Sequence, residues 1–244
     1  MLRTAPPCTF TALGRYSVGM SDTARDWSDI VFAFDTATRW FVSVTAGIAE
    51  RAAGDSRVWT EVGLGEWSVR DLIGHTSRAL FTVETYLDLA ARNDASGVPS
   101  PVEVTSPAAY YERALAAGTP EVIAQRGRET AATLGARPAA AVAAIAARVL
   151  ARVATLDGSE PADTPAGRLR IMEYLPSRTV ELTVHTSDLL QSQGVPAAEQ
   201  TVPPAAAAAT LHVLADLAAQ KGVAAPLLRA ATGRAPLPAG FTVL

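Results

Sequence analysis

Trp27-Ser28-Asp29-Ile30-Val31-Phe32-Ala33-Phe34 opens a run in which Trp27, Ile30, Val31, Phe34, Thr38, Phe41, Val42, Thr45 and Ile48 recur at spacings of three and four. That period lays the nine side chains along one face of a helix, whereas a strand would scatter them over both of its sides. The spacing predicts a helix from about 23 to 53, stopped by Gly54-Asp55. Composition carries the same reading to the rest of the chain. Of 244 residues 49 are alanine and only 6% are aromatic, a mixture rich in the best helix formers and poor in the residues that strands prefer. The expected class is all-α. A length of 244 residues with 49% hydrophobic content suits one substantial domain with a small appendage.

Further helices announce themselves by their ends. Gly63 and Gly65 mark a loop leading to Glu66-Trp67-Ser68-Val69-Arg70-Asp71, where Ser68 and Asp71 form an S-x-x-D start signal whose hydroxyl satisfies free N–H groups of a first turn. A second helix is expected from there to about Arg92. Asn93 to Pro107, with Gly97, Pro99 and Pro101, reads as a surface excursion before a short helix around Ala108–Ala117 and another helical stretch from Pro120 to Gly135. Pro138 suits a first turn, and Val142, Ile145, Val149 and Val153 keep the following face apolar to Leu156, where Asp157-Gly158-Ser159-Glu160-Pro161 breaks it. Residues 168–175 read either as a short strand or as the approach to a helix. Pro176 is expected in the first turn of that helix, which runs to Gln193 and is closed by Gly194. Val195 to Pro204 reads as a linker, Ala205–Gln220 as the last amphipathic helix, and the remainder as a tail punctuated by Gly and Pro. The expected division is a leader at 1–20, a bundle at 21–194 and a small C-terminal segment at 195–244.

Charge and cysteine content exclude several roles. Lys+Arg 21 against Asp+Glu 24 leaves a net −3, which removes the attraction that general nucleic-acid binders depend on. The longest alanine-rich stretch, Pro138 to Ala154, is interrupted by Arg148 and Arg152, short of the roughly 20 apolar residues that cross a bilayer. No membrane partner is expected. Cys8 is the one cysteine and closes no intramolecular disulfide, so a reduced cytoplasm is the expected compartment. Residues 1–19 lack the apolar region of a secretory signal and read as a disordered leader, or as a start placed ahead of Met20-Ser21-Asp22.

Three histidines are few enough to weigh singly. Glu181 and His185, four apart in an expected helix, project about 40° from one another and one turn along the axis, a spacing at which both can ligate one cation or simply touch on a surface. His75, in the apolar run Leu72-Ile73-Gly74-His75, reads on its own as a hydrogen-bonded core residue, and His212, between Leu211 and Val213, reads as structural.

The order of these pieces says more than any one of them. Trp67-Ser68-Val69-Arg70-Asp71-Leu72-Ile73-Gly74-His75, followed by Arg178-Thr179-Val180-Glu181-Leu182-Thr183-Val184-His185-Thr186-Ser187-Asp188-Leu189, resembles the mycothiol-dependent maleylpyruvate isomerase family, whose members are DinB-like four-helix bundles. The resemblance runs from about Asp26 to Gly194 and takes in Ala231-Thr232-Gly233-Arg234 through Phe241. It implies that His75, Glu181 and His185 form a His/Glu/His triad for a divalent cation, typically zinc, with mycothiol as the thiol cosubstrate of an isomerase or S-transferase. Two imidazoles and one carboxylate suit zinc or a similar ion and leave coordination positions open, the arrangement of a catalytic site. Asp188 matches the H-x-x-D pattern and is the candidate partner for the other nitrogen of His185, while Asp71 stands either behind His75 or in the helix cap. Arg234, in a Gly-Arg turn, is a candidate clamp for a substrate carboxylate or a solvated loop residue. With Cys8 placed in the leader, a covalent thiol mechanism would borrow its sulfur from a small molecule. The expected partners are therefore a small electrophile and a low-molecular-weight thiol. Two other readings stay open on the same bundle: a metal-dependent hydrolase or user of another thiol, and a non-catalytic binding or stress protein.

Overall fold

The structure, a computed structural model, describes residues 26–97, 100–116 and 118–244. The expected leader and Cys8 lie outside the described residues. Helix α1 spans Trp27–Gly54, capped by the Asp26 carboxylate on the Ser28 N–H, and the face read from its spacing is the face it buries: Ile30, Phe34, Thr38, Phe41, Thr45 and Ile48 are all within the core. Helix α2 spans Val69–Ala95 and begins with the capping box of Ser68 and Asp71. Shorter helices follow, α3 at Pro107–Ala116 and α4 at Pro120–Thr133. Helix α5 covers Pro138–Val153 and opens on its proline as expected. Helix α6 covers Ile171–Ser192, and α7 covers Pro204–Gln220.

The four long helices α1, α2, α5 and α6 form the bundle. Helices α1 and α2 stand on one diagonal, each packed against both α5 and α6, with α3 and α4 making the connection that carries the chain from α2 to α5. Phe34 and Phe41 of α1, Leu72, Ile73 and Leu80 of α2, Val142 and Val149 of α5, and Leu175, Leu182 and Leu189 of α6 share the core. Side chains of this size contribute roughly 1.5–3 kcal/mol each when fully buried. The protein is a mainly helical, DinB-like bundle, and no single helix among the described residues is long and apolar enough to cross a membrane.

Several expectations are corrected. Two small antiparallel hairpins appear: β1 (Val62–Leu64) with β2 (Trp67–Ser68), where a loop leading to the helix start was read, and β3 (Pro161–Thr164), read as a break, with β4 (Gly167–Arg170). The second resolves the ambiguity at 168–175, because β4 runs directly into α6 and the N–H groups of Ile171 and Met172 donate to the carbonyls of Glu160 and Gly158. Helix α6 thus starts earlier than expected, and Pro176 falls inside it. There the proline removes the N–H that would reach the Met172 carbonyl, and burial of Ile171, Tyr174 and Leu175 in the core holds the turn. The excursion after α2 is not all surface: Val104 is buried, and the N–H groups of Glu103 and Val104 both donate to the Arg168 carbonyl. The tail contains one more helix, α8 at Ala224–Ala231. Val213 and Leu217 of α7 and Val243 form a second apolar cluster with Tyr111 of α3 and Val180 of α6, so the C-terminal segment is fastened to the bundle beside α3.

Candidate metal centre

His75 stands in the second turn of α2, aimed by the cap at Ser68 and by a close crossing with α4. That crossing needs glycine at position 74, because a Cβ there would lie 2.5 Å from the Ala131 nitrogen and 2.6 Å from the Gly127 carbonyl oxygen. The ring of Trp67, carried on β2, covers the imidazole at a centroid distance of 4.5 Å. Glu181 and His185 come from α6, on the side facing α2.

The tertiary structure brings these three residues together. His75 Nε2 is 3.7 Å and His185 Nε2 3.5 Å from Glu181 Oε2, and one ligand atom from each of the three lies within 4.8 Å of the others. Nitrogen and oxygen ligands about 2.0–2.1 Å from a tetrahedral cation stand roughly 3.3–3.4 Å apart, so the two measured separations need close by only a few tenths of an ångström. The residues present fit a first-row divalent ion.

The neighbours assign each donor a direction. Asp188 Oδ2 is 3.0 Å from His185 Nδ1, which leaves the Nε2 of that ring for the centre. Glu181 Oε1 accepts from the Tyr111 hydroxyl at 2.8 Å, so Oε2 alone faces the imidazoles. Asp71 is taken up by the cap, its Oδ2 accepting from the Ser68 hydroxyl at 2.7 Å, and the Nδ1 of His75 is buried without a hydrogen-bond partner among the described residues. Arg234 is exposed beyond α8 with its Nη1 on the Thr232 carbonyl, and it does not line the cavity beside the three ligands. His212, on α7, has Asp216 at 3.9 Å and stands apart from the group.

Electrostatics concentrate on the same residues. Burial works against charge on Glu181, yet the facing imidazoles and Arg178 outweigh it and hold this carboxyl well below the usual range. Burial likewise opposes protonation of His185, but Asp188 and Glu181 together push it up to about 9. Burial pulls His75 down, only partly offset by Glu181. Burial and the Glu181 charge raise Tyr111 well above 10, so it keeps its proton and remains a donor. Tyr111 escaped the sequence reading because α3 carries no periodic signal tying it to α6. Arg78 and Arg126 escaped it too, and Arg178, which opens the quoted α6 motif, was given no role there; all three line the adjoining cavity with His75, Glu181 and Tyr111.

A DinB-like helical bundle with a His/Glu/His group able to hold a metal ion is the class of protein that fold and site define together. Within that class, the family model of the mycothiol maleylpyruvate isomerase N-terminal domain matches residues 42–190, and the chain belongs to this family. The match covers α2 to α5 with the second half of α1 and most of α6, and stops short of the C-terminal helices. Neither the curated proteins nor the solved structures compared with the chain gave a match.

Proposed function

We propose that the protein is a divalent-metal-dependent enzyme, an isomerase or S-transferase, that uses mycothiol or a similar small thiol on a small electrophile. The observation that carries this reading is the convergence of His75, Glu181 and His185 within 4.8 Å, in a chain whose family is the mycothiol maleylpyruvate isomerase N-terminal domain. These three would hold the cation, and the donor set favours an ion of the zinc type. Bound there, the cation would supply a lowered thiol pKa, making a thiolate available near neutral pH.

The remaining roles fall to the chain itself. Asp188 fixes the His185 ring and its tautomer. Tyr111 keeps Glu181 turned so that one oxygen is presented. Trp67 shields His75 from water on the ring face. In an isomerisation the thiol sulfur adds to a conjugated carbon, the electron pair of the double bond moves onto the adjoining carbonyl, the resulting single bond rotates, and loss of the same sulfur restores the double bond. Nothing is consumed. In a transferase the adduct or displaced product leaves instead. This reading gives no role to Arg234. The test is turnover of a panel of activated alkenes and alkyl halides by purified protein, with metal and thiol supplied separately and together. Turnover requiring both supports the proposal; undiminished turnover in thiol-free buffer overturns it in favour of a hydrolase.

A further inference from the structure

Helix α7 is apolar on two opposite sides. Ala206, Val213 and Leu217 face the bundle and are buried. On the other side Pro204, Ala208, Leu211, Ala215 and Ala219 recur at spacings of four, three, four and four, and all five are exposed. That spacing is the row along which one helix packs against another. From Thr201 to Gln220 the chain carries a single acidic or basic residue besides His212, which is Asp216. A surface helix ordinarily turns charged side chains outward, and one that is apolar all round belongs under cover.

The row adjoins a groove of about 370 Å³ between α7 and the first turns of α1, walled by Ile30, Ala33, Pro176, Ala205 and Ala209. Phe32 stands on its α1 edge and is 61% exposed, and Leu211 on α7 is 64% exposed. Side chains that project so far are not covered by a small molecule lying in the groove. They are covered by another protein surface, and contiguous apolar patches of this kind mark such contacts. The patch owes nothing to the family match, because Phe32 and the whole of α7 fall outside residues 42–190.

We infer that this face binds a second copy of the chain, with α7 packed antiparallel on the partner's α7 about a two-fold axis beside Leu211, and with the partner's helix covering the groove and Phe32. The row itself selects this occupant. Its midpoint lies between Leu211 and His212, so a 180° rotation about that point lays the row upon itself, Pro204 opposite the partner's Ala219 and Ala208 opposite the partner's Ala215. Leu211 then stands beside its counterpart at the centre, the self-complementary arrangement that a two-fold interface requires. Small side chains on either side of it let the two backbones approach closely. Antiparallel order sets the positive end of each helix dipole beside the negative end of the other, and with Asp216 the one carboxylate along the helix, no cluster of like charge meets its own image. A helix of 17 residues is about 26 Å long, and with the flank of α1 the strip is roughly 20 Å wide. The pair would bury on the order of 1,000 Å², the size of a small, reversible interface. The inference is independent of the enzyme reading.

The experiment is sedimentation equilibrium of the full-length protein from about 1 µM to about 500 µM, the span in which an interface of this size dissociates. The mass is expected to rise reversibly from 25.4 kDa toward twice that value. Leu211→Glu sets two carboxylates against each other at the axis and should weaken association at least about 100-fold, while Phe32→Ser, at the edge, should weaken it about tenfold. Both side chains are exposed in the single chain, so circular dichroism and Tm should stay as in the parent. Leu228→Glu is the control: Leu228 is 63% exposed on α8, outside the row, and its replacement should leave the dimer unchanged. A monomer throughout the range overturns the inference, and so does a dimer that Leu211→Glu leaves intact or that Leu228→Glu disrupts equally. A monomer that dimerises only after residues 1–19 are deleted would assign the face to the chain's own first residues and overturn the second copy as its occupant.

Discussion

Gly74→Ala tests the close crossing of α2 and α4 that seats His75. The added methyl would lie 2.5 Å from the Ala131 nitrogen, 2.6 Å from its Cβ and 2.6 Å from the Gly127 carbonyl oxygen. Ordinary contacts begin near 3.5 Å, so α4 must retreat by roughly 1 Å. Two of the three obstacles are backbone atoms and no change of rotamer relieves them. Overpacking of this kind costs about 1–3 kcal/mol, and a clash with backbone belongs at the upper end. Alanine returns about 1 kcal/mol through its greater helix propensity. The expected net loss is about 2 kcal/mol, a fall of roughly 4–8 °C in Tm for a chain of this size. Urea unfolding of both proteins in the metal-free state measures it, with the slope m checked to be unchanged. A variant as stable as the parent, or more stable, would refute the crossing, because propensity would then be acting without the clash. Gly127→Ala is the milder companion: its methyl would stand 3.2 Å from the His75 Cβ, so its main expected effect is a weaker metal site.

Further expectations concern the ligands and their partners. His185→Ala should stay folded and lose bound metal, whereas His212→Ala should leave metal content unchanged; elemental analysis of the two purified variants decides, and stoichiometric metal in His185→Ala would show the triad to be wrong. Tyr111→Phe removes the donor on Glu181 Oε1 and should weaken zinc about 10–100-fold, the range typical for partners of ligating groups, as read by competition with a chelator. Protonation gives a signed prediction. The metal-free His185 is pushed up from 6.5 to about 9, so the stability it contributes is fully present below pH 6.5 and is lost as pH rises through about 9. Since a ligating imidazole must be neutral, metal uptake near pH 7.5 should release close to one proton, measurable by calorimetry in buffers of different ionisation heat; a release near zero would contradict the assigned charge state.

The local elements were legible because each is written within a turn or two of chain. The three-four spacing from Trp27 to Ile48 specifies a buried face whatever packs on it, and Ser68 with Asp71 starts α2 through bonds among neighbours. The same locality places Glu181 beside His185 and Asp188 one turn on. Elements that depend on partners elsewhere were misread. The hairpin of β3 and β4 depends on pairing across its own turn and on Val104 and Glu103 being tied to Arg168. Pro176 is tolerated inside α6 because the core holds the helix on both sides of it. Helix α8 had only eight residues to advertise itself.

What the sequence determined alone is therefore the helical class, the buried face of α1, the start signals of α2 and α5, and the paired donors on α6; the order of motifs, by resemblance, added His75 to that pair. The tertiary structure decided everything that joins one helix to another: the 3.7 Å approach of His75 to Glu181, the Tyr111 hydroxyl that turns this carboxylate, and the three arginines gathered around one cavity. Helical periodicity fixes which face a residue occupies but carries no distance between faces of different helices. That distance is set by how closely their backbones cross, and here a glycine at position 74 lets α4 come near enough to complete the wall.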